Sequence, residues 1–258
     1  MRIELIDVSY KKNLKNINIS LSNDYINCIV GENGSGKSLL LDIICKKIKN
    51  SNGVIKYSKG TISYLEQNSK YNNNCKNVYT ELKKVLEKSS VLMDDLDRYI
   101  LNAIKKFNLE KGVLEKKYNE LSFIDYRKIK LIELLLSNTD CIVLDEPTLG
   151  FNELEKKQFV KMIKQMKRKY LKMFIISTTD MELVNIINEY IFILNKGKVF
   201  THGKYYDVFA NYISLKSDII DLPLIVQFNK MFYDKKNIKL LLRNDINDLL
   251  KDLYRLKW

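Results

Sequence analysis

Histidine is nearly absent from this 258-residue chain, with His202 the only one. The four cysteines, Cys28, Cys45, Cys75 and Cys141, include no C-x-x-C pair. A zinc site needs several such ligands at short spacing, so zinc chemistry is set aside. Cys28, Cys45 and Cys141 lie in apolar runs, which fits reduced, mostly buried thiols in a reducing compartment. Proline is equally scarce, at two residues. With 46% hydrophobic residues, the composition is that of a folded chain able to bury a sizeable core. No stretch approaches the roughly 18–20 consecutive apolar residues of a membrane span. The opening MRIELIDVSY alternates like a strand and lacks the apolar block of a signal peptide. These absences predict a soluble or peripheral protein on the cytoplasmic side. The net charge of +13 would suit nucleic acid or an anionic membrane, but Lys recurs throughout without a single basic block. No nucleic-acid partner is expected.

Glycine is sparse too, nine in all, yet three fall in the eight-residue stretch GENGSGKS, residues 31–38. This stretch follows the apolar run YINCIV and opens onto LLLDIICKKIK. The spacing is G-x-x-x-x-G-K-S. Glycines admit left-handed conformations and bring backbone N–H groups close to a ligand. At a helix N-terminus such donors cradle phosphates, with Lys37 reaching the terminal phosphates and Ser38 ligating magnesium. Gly31, Glu32, Asn33, Gly34, Ser35, Gly36, Lys37, Ser38 and Leu39 are therefore the candidate nucleoside-triphosphate contacts.

Short strands are expected at RIELIDVSY, LKNINISLS and YINCIV, then a helix through about Lys49. GVIKYS and GTISYLEQ read as a hairpin pair. From about 77 to 136 the pattern is helical, broken at Gly112 and near NELSF. TDCIVLDEPT returns to a continuous apolar strand of the kind found in buried parallel sheets. A helix (ELEKKQFVKMIKQMKRKY), a strand (KMFIIST), a short helix (DMELVNIINEY) and two strands joined at Lys196–Gly197 follow. Strand–helix alternation with a helical insert predicts an α/β fold. The strand CIVLDEPT delivers Asp145 and Glu146 together, then Pro147 stops it. An acid at a parallel-sheet edge beside a phosphate loop can hold magnesium, and the next acid can polarise an attacking water.

In order and spacing, GENGSGKS, LSFID and IVLDEPTLGFN resemble the ATP-binding subunit of an ABC transporter over about the first 205 residues. The resemblance implies a P-loop NTPase core with antiparallel β subdomain, helical subdomain and C-terminal helical extension. It implies ATP and Mg2+ as cofactors, and Gln67 as the loop glutamine that contacts magnesium and couples to the membrane partner. Beyond residue 203, the run around Pro223 is similar to the C-terminal extension of energy-coupling factor (ECF) ATPases. The family likeness thus divides the chain into a cassette, 1–203, and an extension, 204–258, expected to dimerise. It implies a second ABC ATPase subunit, a transmembrane coupling subunit and a substrate-binding membrane subunit, with import of a vitamin or metal ion. A soluble ABC ATPase of cofactor assembly, or a weakly hydrolysing regulatory nucleotide-binding module, is the alternative.

Several positions depart from the family pattern. The signature L-S-G-G-Q is here Leu121-Ser122-Phe123-Ile124-Asp125; Ser122 can still donate a hydrogen bond, while the next three residues add bulk and charge. Thr179 stands where the family has a histidine that contacts the γ-phosphate and the catalytic water. Asn152 replaces an aspartate. Lys12 lies about where an adenine-stacking aromatic belongs, with Tyr10 the nearby substitute, and guanine stays open. In a homodimer both shared sites would lack the signature glycines and the histidine together. A heterodimer distributes these defects, and is favoured. In the tail, Leu242, Ile246, Leu249, Leu250, Leu253 and Leu256 share one helical face. Packing on the core or a partner is expected over a membrane-lying helix, because Asp245, Asp248 and Asp252 would oppose an anionic surface.

Overall fold

The computed structural model describes residues 1–67, 76–89, 96–215, 219–243 and 246–255; Cys75, Asp245, Leu256 and Trp258 lie outside them. Two sheets carry the fold. Strands β1 (Arg2–Tyr10), β2 (Leu14–Ser22) and β4 (Asn52–Tyr57) form an antiparallel sheet ordered β2-β1-β4. The larger sheet runs β5-β6-β7-β3-β8-β9, with β3 (Ile26–Val30), β5 (Ile62–Leu65), β6 (Cys141–Asp145), β7 (Met173–Thr178), β8 (Tyr190–Asn195) and β9 (Lys198–Lys204). Its pairings are parallel except for β8–β9.

The inner strands are buried nearly throughout and mostly apolar because their alternating side chains feed two cores. Cys28, Val30, Ile142, Leu144, Phe174 and Ile176 face one, which is covered by helices. Ile29, Cys141, Val143, Ile175, Phe192 and Leu194 face the other, shared with the antiparallel sheet and α1 (Lys37–Ile44). The stretch from 77 to 136 is helical as expected: α2 (Val78–Lys88), α3 (Leu96–Lys106), two short 3-10 turns and α4 (Phe123–Leu136). Helices α5 (Glu153–Tyr170) and α6 (Met181–Ile187) flank β7.

Two expectations fail. The β4–β5 hairpin does not form: β4 pairs antiparallel with β1, and β5 pairs parallel with β6. The chain crosses between sheets at residues 58–61. This crossing is pinned by the Arg2 N–H on Ser58 Oγ (2.7 Å) and the Thr61 N–H on Asp140 Oδ2 (2.8 Å). Helix α1 also stops at Ile44, not near Lys49, because Lys46 turns left-handed at φ 60°.

The C-terminal segment adds α7 (Tyr205–Leu215), α8 (Leu224–Lys236) and α9 (Ile246–Arg255). Leu249 is buried, and Leu242 and Leu253 pack on the helix-covered core, whereas Ile246 and Leu250 are exposed. Arg243 grips Asp252 through Nε–Oδ2 (2.6 Å) and Nη2–Oδ1 (3.1 Å). No helix among the described residues is long and apolar enough to cross a membrane.

Candidate nucleotide site

The loop between β3 and α1 is held in place from behind. A Cβ on Gly31 would stand 2.1 Å from the Leu194 carbonyl oxygen, so only glycine lets the loop lie this close to β8. The β8–β9 turn braces the loop from the side. The Gly197 N–H donates to the Ser35 carbonyl at 3.0 Å, and its own carbonyl accepts from the Lys15 N–H at 2.8 Å. A Cβ on Gly197 would lie 2.0 Å from the Asn13 carbonyl oxygen, so this brace also admits only glycine. Within the loop, buried Lys37 donates to the carbonyls of Gly31 (2.7 Å) and Glu32 (3.1 Å). Burial pushes the Lys37 ammonium down, while Glu146 and Asp145 hold it up.

The acids arrive at the C-terminal edge of β6. Asp145 is buried and accepts from the Ser177 hydroxyl on the neighbouring β7. Glu146 adopts φ 46°, a left-handed turn that a non-glycine residue rarely takes, and its N–H donates to the Ser177 carbonyl at 3.0 Å. That turn swings its carboxylate onto the end of β7. Oε1 accepts from the Thr179 N–H (2.7 Å) and Oε2 from the Thr178 hydroxyl (2.8 Å).

Loop and acids open onto one cleft of about 650 Å³. Of the predicted residues, its walls include Asn33, Gly34, Gly36, Lys37, Ser38, Leu39, Gln67, Asp145 and Glu146. Gly31, Glu32 and Ser35 are not among its walls: Gly31 and Ser35 are buried within the loop, and Glu32 is exposed. Tyr10 is not brought to the cleft either; it packs on the core beneath the antiparallel sheet. Thr179 is exposed and reaches Glu146 through its backbone N–H, and its side chain is not part of the lining. Ser122 stands apart, capping α4 by accepting from the Asp125 N–H at 3.1 Å. Phe123 and Ile124 are exposed beside it, and Ile124 faces Gly150 of the LGFN loop. Asn152 is likewise a cap, in a reciprocal pair with Glu155 at 2.9 Å each way.

Lys12, placed by the sequence near the nucleotide base, does line the cleft. Sequence reading missed the rest of its polar rim: Asn13 from the β1–β2 turn, Lys15 at the start of β2 and Lys196 from the β8–β9 turn. The signal was present as lysines crowding two strand-to-strand turns, YKKNLK and NKGK. Arg127, whose buried side chain donates to backbone carbonyls at the acids, was also missed. Ser38, Gln67 and Asp145 share one cleft, a donor set that suits magnesium, which takes one or two protein oxygens and completes its shell with phosphates and water.

The sequence profile described as ABC transporter matches residues 14–149, just over half of the chain. A similar protein is the energy-coupling factor transporter ATP-binding protein EcfA3 of Clostridium perfringens. It is 23% identical over 252 residues, which cover 91% of this chain and 88% of that one. The zinc import ATP-binding protein ZnuC of Ehrlichia ruminantium is 28% identical over 227 residues, covering 83% and 88%. Among solved structures, cbiO1 of Clostridium perfringens, part of the transporter complex cbiONQ, superposes with a TM-score of 0.65 at 22% identity, covering 88% and 97%. A phosphate loop on α1, an acid pair at the edge of β6 and this match together place the chain in the ABC transporter family, as one of its ATPase cassettes.

Proposed function

We propose that this chain is the ATP-binding and ATP-hydrolysing subunit of an ECF-type membrane uptake transporter for a vitamin or metal ion. The observation that carries the reading is the convergence of Lys37, Ser38, Gln67, Asp145 and Glu146 on one cleft. Similarity to EcfA3 and to cbiO1 supports the transporter type. In this reading residues 1–203 are the cassette, with its helical subdomain at about 77–136, and 204–258 take part in dimerisation. The chain works peripherally at the cytoplasmic face, with a transmembrane coupling subunit and a substrate-binding membrane subunit.

Lys37 and the loop N–H groups hold the β- and γ-phosphates. Ser38, Asp145 and Gln67 hold Mg2+, which when bound neutralises charge on the transferring phosphoryl group. Glu146 takes the proton of the attacking water. The exposed Phe123 and Ile124, where the family has glycines, support a heterodimer in which the second cassette supplies the better signature. One observation favours a second reading, a weakly hydrolysing regulatory module: both Glu146 oxygens are already engaged, and Thr179 replaces the histidine.

Lys37→Ala should weaken ATP binding about 10- to 100-fold, the worth of one lost charge-assisted contact. Calorimetry that finds unchanged affinity removes the site. Pull-down in mild detergent should recover a polytopic membrane protein and a second cassette. Recovery of soluble assembly proteins alone overturns the transport reading.

A further inference from the structure

The ladder between β5 and β6 ends at Leu65↔Leu144. One residue later β6 still pairs with β7, at Asp145↔Ser177, while β5 has stopped. The guanidinium of Arg127, from the second turn of α4, fills the place of the missing rung. It is 1% exposed. Nη1 donates to the Gln67 carbonyl at 2.8 Å, Nη2 donates to the Asp145 carbonyl at 3.0 Å, and Nη2 also donates to the Glu146 carbonyl. A single planar cation thus grips the backbone of each residue assigned above to the metal or the water, Ser38 excepted.

A lysine could not do this, because its ammonium is a compact point charge, whereas a rigid fork spans two separated strand ends. Burying a cation is costly, and here the return comes from carbonyl dipoles and from the Asp145 and Glu146 carboxylates nearby. The Nε–H is buried and has no hydrogen-bond partner among the described residues. Both terminal nitrogens are nonetheless aimed at the two strand ends that carry the site.

We propose that Arg127 is a positioning residue: it sets the spacing between Gln67 and the Asp145–Glu146 pair and ties that spacing to α4. The N-terminal end of α4 carries the Ser122-Phe123-Ile124-Asp125 turn, so whatever docks there shifts the metal and water residues as one unit. The inference rests on the cleft being an ATP–magnesium site.

The test uses the purified full-length chain and its Arg127→Gln and Arg127→Lys variants. ATP affinity is measured by calorimetry in EDTA and in excess Mg2+, with thermal melting in parallel. Arg127→Gln should bind ATP in EDTA within about twofold of wild type, yet lose about tenfold of the gain that Mg2+ supplies, the scale of one misplaced polar contact. Arg127→Lys should lose less, since it keeps the charge and one of the carbonyl bonds. If Arg127→Gln fails to fold, the lysine variant carries the same comparison. Equal losses with and without Mg2+ mark a merely structural residue and overturn the proposal, as does no loss in either condition. Wild-type chain that binds no ATP overturns the site reading itself and the inference with it, a different outcome from a wild type that binds and a variant that matches it.

Discussion

Glu146→Gln separates the chemistry of the cleft from its folding. In the wild type each carboxylate oxygen accepts one hydrogen bond, from the Thr179 N–H and the Thr178 hydroxyl. The glutamine oxygen can keep the Thr179 bond. Its NH2 can donate to Thr178 Oγ1, which already accepts from the Asp180 N–H at 3.0 Å and has a second lone pair. The number of bonds is conserved, but two bonds to a charged acceptor become neutral, a cost of about 1–2 kcal/mol. For a chain of this size that is a melting shift of a few degrees. The chemical effect is larger, because a positioned general base contributes about 10²–10⁴-fold. Steady-state ATPase of the assembled complex should therefore fall at least about 100-fold. ATP affinity should hold or improve, with one negative charge fewer facing the phosphates. A variant that keeps more than about a tenth of wild-type turnover would refute Glu146 as the base, given that range.

Thr179→His should raise turnover by up to about 100-fold if it restores a phosphate-stabilising donor. Melting should barely move, because Thr179 is exposed; unchanged turnover in the complex counts against the histidine's absence as the limiting defect. Gly31→Ala drives a Cβ to 2.1 Å from the Leu194 carbonyl oxygen, so calorimetric Tm should drop. At a strain of about 2 kcal/mol or more, the drop is about 4–8 °C. A Tm within a degree of wild type would mean the loop can move off β8. Asp252 is held below the usual carboxylate range by its hydrogen bonds to Arg243. A depressed carboxylate contributes stability above its unfolded value and loses it as pH falls through the folded one. Helical signal from α9 should thus persist at neutral pH and fade only in acid, below the ordinary carboxylate range. Asp252→Asn should weaken that dependence, leaving the part due to Asp248, which Lys251 also holds low; an unchanged acid profile would contradict the pairing.

Much of this was legible because apolar runs and glycine spacing are local signals. INCIV and CIVLD are buried along their whole length, and that is why both read as strands and the second as one of a parallel sheet. GENGSGKS carries its backbone geometry in its composition. The hairpin was misread because partner choice between β4 and β5 is not local. It depends on Asp140, 79 residues from Thr61, pinning the crossing between sheets. Arg127 was invisible for the same reason. In DYRKIK it reads as one more charge on a helix, and only the fold brings Gln67 and Asp145 to it from 60 and 18 residues away. The rim lysines sit in turns or, for Lys15, just inside a strand, where charge usually means only solvent. Tyr10 was favoured as an aromatic near Lys12, but β1 turns it onto the core.

The brace at Gly197 bears on how nucleotides arrive. A phosphate loop that must order itself around its ligand makes association slow and costs affinity for the ordering. Here the loop is bonded through Ser35 to the β8–β9 turn, and that turn to Lys15. Its closing was accomplished during folding. Encounter is then governed by collision and by the attraction of Lys12, Lys15 and Lys196 at the mouth, so the association rate falls with added salt. Nucleotides of equal charge meet the same preset cradle at nearly the same rate. They part company in how long they stay.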